Sequence, residues 1–500
     1  MKSSHSYRKP VWLLVVLIAI IVVIAVLVTK FSGSNNVYAA VSTSSAQSCD
    51  CKSPTSPYIV KINFNNAVPG DLLSFNNQAM ADCFAWQEFI TLNWPVNESA
   101  GFGSPGDTNP VQWETYMPRE VLFPDGGTAP PAWGTLVSDE YKSLFKSQNL
   151  LMDRKHTKLL TFISKKADNG DQQVNFTPNQ AAPSNKPSWL GAQNSTNVWY
   201  EILLNKDYYD YIVANGFYNA ATQHESVSNG NPINFPMGQY NGAVGAIELK
   251  ASWMEVTDAS SPKWKRYKLS SAVVLDPATH TLRNTTVALV GLHILHKTQN
   301  QPTWVWATFE QVDNVPGSST PPSGYNFYSD DCQPRQVTIQ TATGKDSVVT
   351  VSATPNTPPP FYLGQAAPVP IQAKRVNAID PVDAVPINTL MQNSIKQYYP
   401  ESVWQYYQLV DVIWSQQPQK NLTQPVFVPR PLNTASMVSG AHVVANATME
   451  TYVQNTTCYN CHMYSTIAPY PPNSVNDTIF SDFSFAITFA KYSGAAPNLK

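Results

Sequence analysis

Residues 285–312, TTVALVGLHILHKTQNQPTWVWATFEQV, decide how this chain is read. Two runs rich in β-branched and aromatic residues, 285–296 and 303–312, flank the polar, proline-bearing segment 297–302. That pattern predicts two strands joined by a hairpin or a longer turn. Upstream, 245–256 (GAIELKASWMEV) alternates in places and 272–275 is apolar and β-branched, so both predict further strands. An antiparallel sheet is the economical architecture for this block. His293 and His296 stand at odd spacing on one strand, so their side chains point to opposite faces and do not share a metal without a bulge. Glu310, Asp313, Glu248 and Lys250 lie on or beside these strands. They read either as a substrate or metal pocket or, more simply, as an ordinary solvated strand face with one core histidine.

Working outward, residues 82–94 (DCFAWQEFITLNW) place Phe84, Ala85, Phe89, Ile90 and Leu92 near helical spacing, and Pro95 ends the run. A buried helix is expected there. A short helix is expected at 138–145. Residues 354–370 (TPNTPPPFYLGQAAPVP) hold six prolines in seventeen positions and read as an extended linker. Beyond it, 387–398, 402–414 (SVWQYYQLVDVIW) and 448–459 read as helices. The expected fold class is α+β: a β-rich antiparallel N-terminal domain and a helical C-terminal domain. The boundaries are an N-terminal segment 1–30, a polar tether 31–57, the β-rich domain 58–353, a Pro-rich linker 354–377 and the C-terminal domain 378–500.

The chemistry is concentrated in Cys458-Tyr459-Asn460-Cys461-His462, a C-x-x-C-H. This spacing is the attachment signature of c-type haem. Two thiols three positions apart reach the two vinyl groups on one porphyrin edge, and the histidine that follows ligates the iron from below. A zinc site calls for a second ligand pair at comparable spacing, and Cys49-Asp50-Cys51 is some four hundred residues away. A redox dithiol calls for a βαβ context, which the preceding segment lacks. The motif occurs once, so one haem c is expected, covalently held by Cys458 and Cys461 with His462 as the proximal iron ligand. The helical C-terminal domain, 378–500, is therefore expected to be the c-type haem domain.

The N-terminus suggests where such a protein works. Residues 11–29 are nineteen positions without a charge, preceded by Lys2, Arg8 and Lys9. At about 1.5 Å per residue the run nearly matches a hydrocarbon core of roughly 30 Å. It reads as a single-pass anchor in the inner membrane, with the bulk of the chain in the periplasm. Cleavage after Val37-Tyr38-Ala39, giving a soluble periplasmic protein, is the alternative. The cysteines outside the motif, Cys49, Cys51, Cys83 and Cys332, are even in number and suit two disulfides in an oxidising compartment, with Cys49 and Cys51 each going to Cys83 or Cys332. Net charge is −2 and only 13% of residues are charged, against about 25% in an average soluble protein. With no basic stripe, nucleic acid is excluded as a partner class. A redox partner protein or a quinol-linked electron donor is expected instead.

The sixth iron ligand departs from the commonest single-haem pattern. After His462 there is no histidine, and the only methionine is the adjacent Met463. A distal ligand would come from upstream, with His442 and Met449 nearest in sequence. A ligand on both sides of the iron favours electron transfer; an open side favours peroxidase, oxygenase or nitrogen-oxide chemistry, or a haem-based sensor.

Cys83-Phe84-Ala85-Trp86-Gln87 with Leu92-Asn93-Trp94-Pro95 resembles segments of large single-haem cytochrome c family proteins of proteobacteria. So do Trp304-Val305-Trp306-Ala307-Thr308-Phe309-Glu310 with Asp313-Asn314, and Met449-Glu450-Thr451-Tyr452. The resemblance spans most of the chain after the N-terminal segment. It implies covalent haem c on Cys458 and Cys461 and axial ligation by His462, and it implies no substrate.

Overall fold

The computed structural model describes residues 47–97, 99–137, 139–148, 157–161, 189–275, 281–317, 321–340, 345–359, 369–416, 443–455, 457–463, 465–470 and 479–492. The chain divides into two compact units, Met1–Gln47 and Ser48–Lys500. The second is built on one eight-stranded mixed sheet. Before it, β1 (Ser48–Cys51) and β2 (Val60–Asn63) pair as a two-stranded antiparallel sheet. The large sheet uses β3 (Met117–Pro118), β4 (Thr157–Leu160), β5 (Val198–Leu204), β6 (Ile247–Glu255), β7 (Leu269–Leu275), β8 (Leu282–His296) and β9 (Val305–Gln311). The hairpin of β10 (Arg335–Gln340) and β11 (Asp346–Val351) stands apart, and β12 (Tyr407–Ile413) returns to the large sheet. The spatial order is β12-β9-β8-β6-β5-β3, with β7 also on β8 and β4 parallel to β7.

The strands predicted from the sequence are there, and β8 and β9 pair antiparallel as the opening stretch requires. Every residue of β6 and of β9 is buried, because both faces of the sheet are covered. On one face, Leu249, Ala251, Leu292, Ile294, Ala307 and Phe309 pack with the helices Gln78–Leu92 and Ala384–Tyr398. Burying several aromatic side chains of 150 Å² or more each makes this the main apolar core. His296 points to this face and its Nδ1 meets Glu88 Oε1 of the first helix at 2.5 Å. His293, three residues earlier, points to the other face and its Nε2 lies 3.1 Å from Glu450 Oε1.

Two expectations for the C-terminal part are corrected. The helical C-terminal haem domain is not formed. Residues 402–414 make a 3-10 turn, Val403–Tyr406, followed by strand β12, which pairs with β9. The segment is dense in valine, tyrosine, tryptophan and isoleucine, which favour a pleated buried surface. A short apolar run of this length fits a strand as well as a helix by periodicity alone. Side chains of the two helices cap its backbone: Asn388 bonds both Leu409 N–H and its carbonyl, Gln392 donates to the Tyr407 carbonyl and Gln78 to that of Val412. Capping of this kind blunts an edge strand against pairing with another chain. Nor do residues 448–455 form a helix. Residues 446–451 form a turn tied to the sheet by side-chain hydrogen bonds: Asn446 Nδ2 donates to Thr308 Oγ1 and to the Phe309 carbonyl, and Thr448 Oγ1 meets Ser252 Oγ at 2.7 Å. Gly291 leaves room for this segment, since a Cβ there would come within 2.5 Å of Thr448 Oγ1.

The membrane-spanning helix expected of residues 11–29 falls on a stretch that the described residues do not include. No helix among the described residues is long and apolar enough to cross a membrane. Of the disulfides, Cys51–Cys83 is formed, with a Cα–Cα distance of 5.8 Å, while Cys49 and Cys332 are free thiols. Closing a loop across a sequence separation of 32 contributes on the order of 2–4 kcal/mol to stability.

One buried charge cluster makes stability sensitive to acid. Glu114 accepts from Lys158 at 3.0 Å and Lys268 at 3.1 Å, and Lys158 also meets Glu201 at 3.0 Å. Burial raises the Glu114 pKa, but Lys158 and Lys268 outweigh it and bring the carboxyl from 4.5 down to about 2. Because the folded value is the lower one, this stability is complete above about pH 4.5 and is lost as pH falls through 2. The depression is worth on the order of 3 kcal/mol. Urea titrations at stepped pH should show the unfolding free energy dropping across this window. In Glu114→Gln that drop should be flattened, because the variant already lacks the contribution at neutral pH.

Candidate functional site

The C-x-x-C-H forms a single helical turn, Cys458–His462, on the sheet face opposite the two long helices. Residues three apart in a helix lie on one side, so the turn sets Cys458 and Cys461 together. Tyr459 pins the turn: it is buried, and its hydroxyl donates to Thr303 Oγ1 at 2.9 Å just before β9. Burial first, then the Glu450 carboxylate and the Cys461 thiol, push the Cys458 thiol far above its ordinary range. That is the reverse of the lowered thiol pKa that activates a redox dithiol.

His462 is buried between two aromatic rings, Trp306 at 4.7 Å and Phe485 at 4.8 Å, both edge-on. Its Nδ1 lies 2.8 Å from the Phe483 carbonyl. A carbonyl only accepts, so Nδ1 carries a proton, and in the neutral form of the ring the lone pair is the one on Nε2. A metal-ligating imidazole has this arrangement: one nitrogen on the metal, the other donating to a backbone carbonyl that fixes tautomer and ring orientation. The residues present therefore fit haem c, with Cys458 and Cys461 for the thioethers and His462 Nε2 for the iron.

The carbonyl belongs to a turn of unusual backbone. Asp482 and Phe483 have φ of 54° and 68°, and Trp304 has φ of 68°. A left-handed conformation is uncommon outside glycine and an outlier for bulky side chains. The Asp482 carboxylate is paired with Lys297 Nζ, both side chains wholly buried, and accepts from Phe235 N–H at 2.8 Å. Trp304 Nε1 donates to the Asp482 carbonyl at 3.0 Å. Sequence reading missed Lys297, Asp482, Phe483 and Phe485. A lysine directly after an apolar strand signals nothing about a partner 185 positions away.

The remaining candidates are placed as follows. Met449 is fully buried in the cluster of Trp189, Tyr200 and Tyr267, a different cluster from that of Trp306, Tyr459 and Phe483. The structure does not bring it to His462. His442 lies outside the described residues. Glu310 pairs with Arg375, Asp313 with Arg266 at 2.7 Å, and Glu248 accepts from Ser484 at 2.6 Å. These groups tie segments to the sheet and do not converge on one pocket. Among the described residues no group of three or more His, Cys, Asp or Glu could hold a metal ion. The expectation of metal binding is corrected to that extent: a centre made wholly of protein ligands is not found there. Haem iron takes four ligands from its porphyrin and has no need of such a group. No protein-family model, curated protein or solved structure matches the chain.

Proposed function

We propose that this protein is a monohaem c-type cytochrome that carries single electrons in an exported, oxidising compartment. Cys458 and Cys461 would hold the haem through thioethers, and His462 Nε2 would hold its iron. When bound, the group supplies an iron centre that alternates between ferric and ferrous. The observation that carries the reading is the His462 Nδ1 to Phe483 carbonyl bond of 2.8 Å beside the two cysteines on one helical turn. The Cys51–Cys83 disulfide supports the compartment, since structural disulfides persist where thiols are oxidised. The protein's own share of the chemistry is to fix the imidazole, to surround it with Trp306 and Phe485, and so to limit solvent at the iron, which tunes its potential. The counterpart is a redox partner protein or a quinol-linked donor.

A potentiometric titration of the purified protein, followed optically, tests this. It should show one reversible one-electron couple and a low-spin ferric spectrum without reaction toward peroxide. High-spin iron that turns over peroxide would replace electron transfer by catalysis.

A further inference from the structure

We propose that Lys297 and Asp482 are positioning residues for the iron ligand, acting through the Phe483 carbonyl; the inference rests on the haem reading above. Three observations converge on the one turn. Its two central residues hold left-handed backbone, a conformation that persists only where the surroundings over-determine it and that clusters at functional sites. Its carboxylate is paired with a lysine in a spot where neither side chain has any exposure. A buried ion pair is weak support for stability, and its better-attested use is to select one geometry among alternatives. Finally, the residue after Asp482 supplies the carbonyl that accepts from His462 Nδ1.

The chain of contacts is short and continuous. Lys297 is fixed at the end of β8: its N–H donates to the Ala246 carbonyl at 3.0 Å, and its Nζ also reaches Asn234 Oδ1 at 2.6 Å. It fixes the Asp482 carboxylate, to which Phe235 N–H also donates. Trp304 Nε1 holds the Asp482 carbonyl from the start of β9. With one peptide's side chain and carbonyl both held, the next carbonyl has a single direction, toward His462. The sheet thus sets how strongly the imidazole donates to iron, from 165 residues upstream in sequence by the numbers of the two residues, 462 and 297.

The test uses the full chain carrying Lys297→Met with Asp482→Asn, which removes the pair without leaving one buried charge alone, and separately Trp304→Phe. Covalent haem per chain should stay at one in both, since the thioethers do not depend on the turn. The reduction potential should rise, because a less firmly accepted Nδ1 proton makes a less basic ligand and favours ferrous iron. In 15N-labelled protein the His462 Nδ1–H should exchange with solvent roughly tenfold faster or more as the turn opens. Trp304→Phe should move both readings in the same direction by less, and it decides the matter if the double variant does not fold. Unchanged potential and exchange, with only the thermal midpoint lowered, would reduce the pair to a structural clamp and overturn the proposal. A native chain without covalent haem would instead overturn the proposed function; the Nδ1–H signal of the apoprotein then decides the positioning role, persistence in the variants refuting it.

Discussion

Chains in which Cys458 and Cys461 are both alanine will retain no haem through acid–acetone extraction, whereas the native chain will retain one per polypeptide by pyridine haemochrome assay. The effect is all or none if, as proposed, the two thioethers are the covalent link, since both thiols sit on the turn Cys458–His462. With His462 still held by the Phe483 carbonyl, the variant keeps an imidazole that ligates haem added from solution, but loosely. Haem that extracts freely from the native chain, or a count near two, would contradict the assignment.

Met449→Ala is expected to cost about 2–5 kcal/mol of stability, the range for emptying a fully buried methionine site. Met449 has no exposure and packs among Trp189, Tyr200 and Tyr267. The loss should be read from the shift in urea midpoint at unchanged slope. The ferric spectrum should not change, because this side chain belongs to the core and not to the iron. Conversion from low-spin to high-spin on this substitution would show instead that Met449 reaches the iron and that its place in the core gives way when haem is attached.

Much of the sheet was legible in the sequence because its strands obey simple local rules. The runs that became β8 and β9 are β-branched, aromatic and separated by a polar proline segment, and they pair as adjacent strands. The odd spacing of His293 and His296 placed them on opposite faces, where they meet Glu450 and Glu88. The C-x-x-C-H turn is local as well, since a five-residue motif carries its own helix. What local rules could not deliver was closure. In 402–414 the apolar spacing suits either a helix or a buried strand, and only the vacant edge of β9, far away in sequence, decides for the strand. In 448–455 helix-compatible residues are held in a turn because Asn446 and Thr448 find partners on the sheet. The Lys297–Asp482 pair has no sequence signal at all. Any of several lysines and aspartates would have served equally well on paper.

The place of β12 also dictates an order of events. During synthesis β9 is complete long before Tyr407 to Ile413 emerge, so its outer edge, with Trp306 and Phe309 on either face, stands open through the intervening stretch. An apolar strand with a free edge is a template for pairing with another chain, and long-range pairings form slowly. The turn that steadies His462 arrives later still. A nascent chain of this protein is therefore at its most vulnerable after most of it has been made, and premature release between Gln311 and Tyr407 would give an aggregating species in place of a smaller folded one.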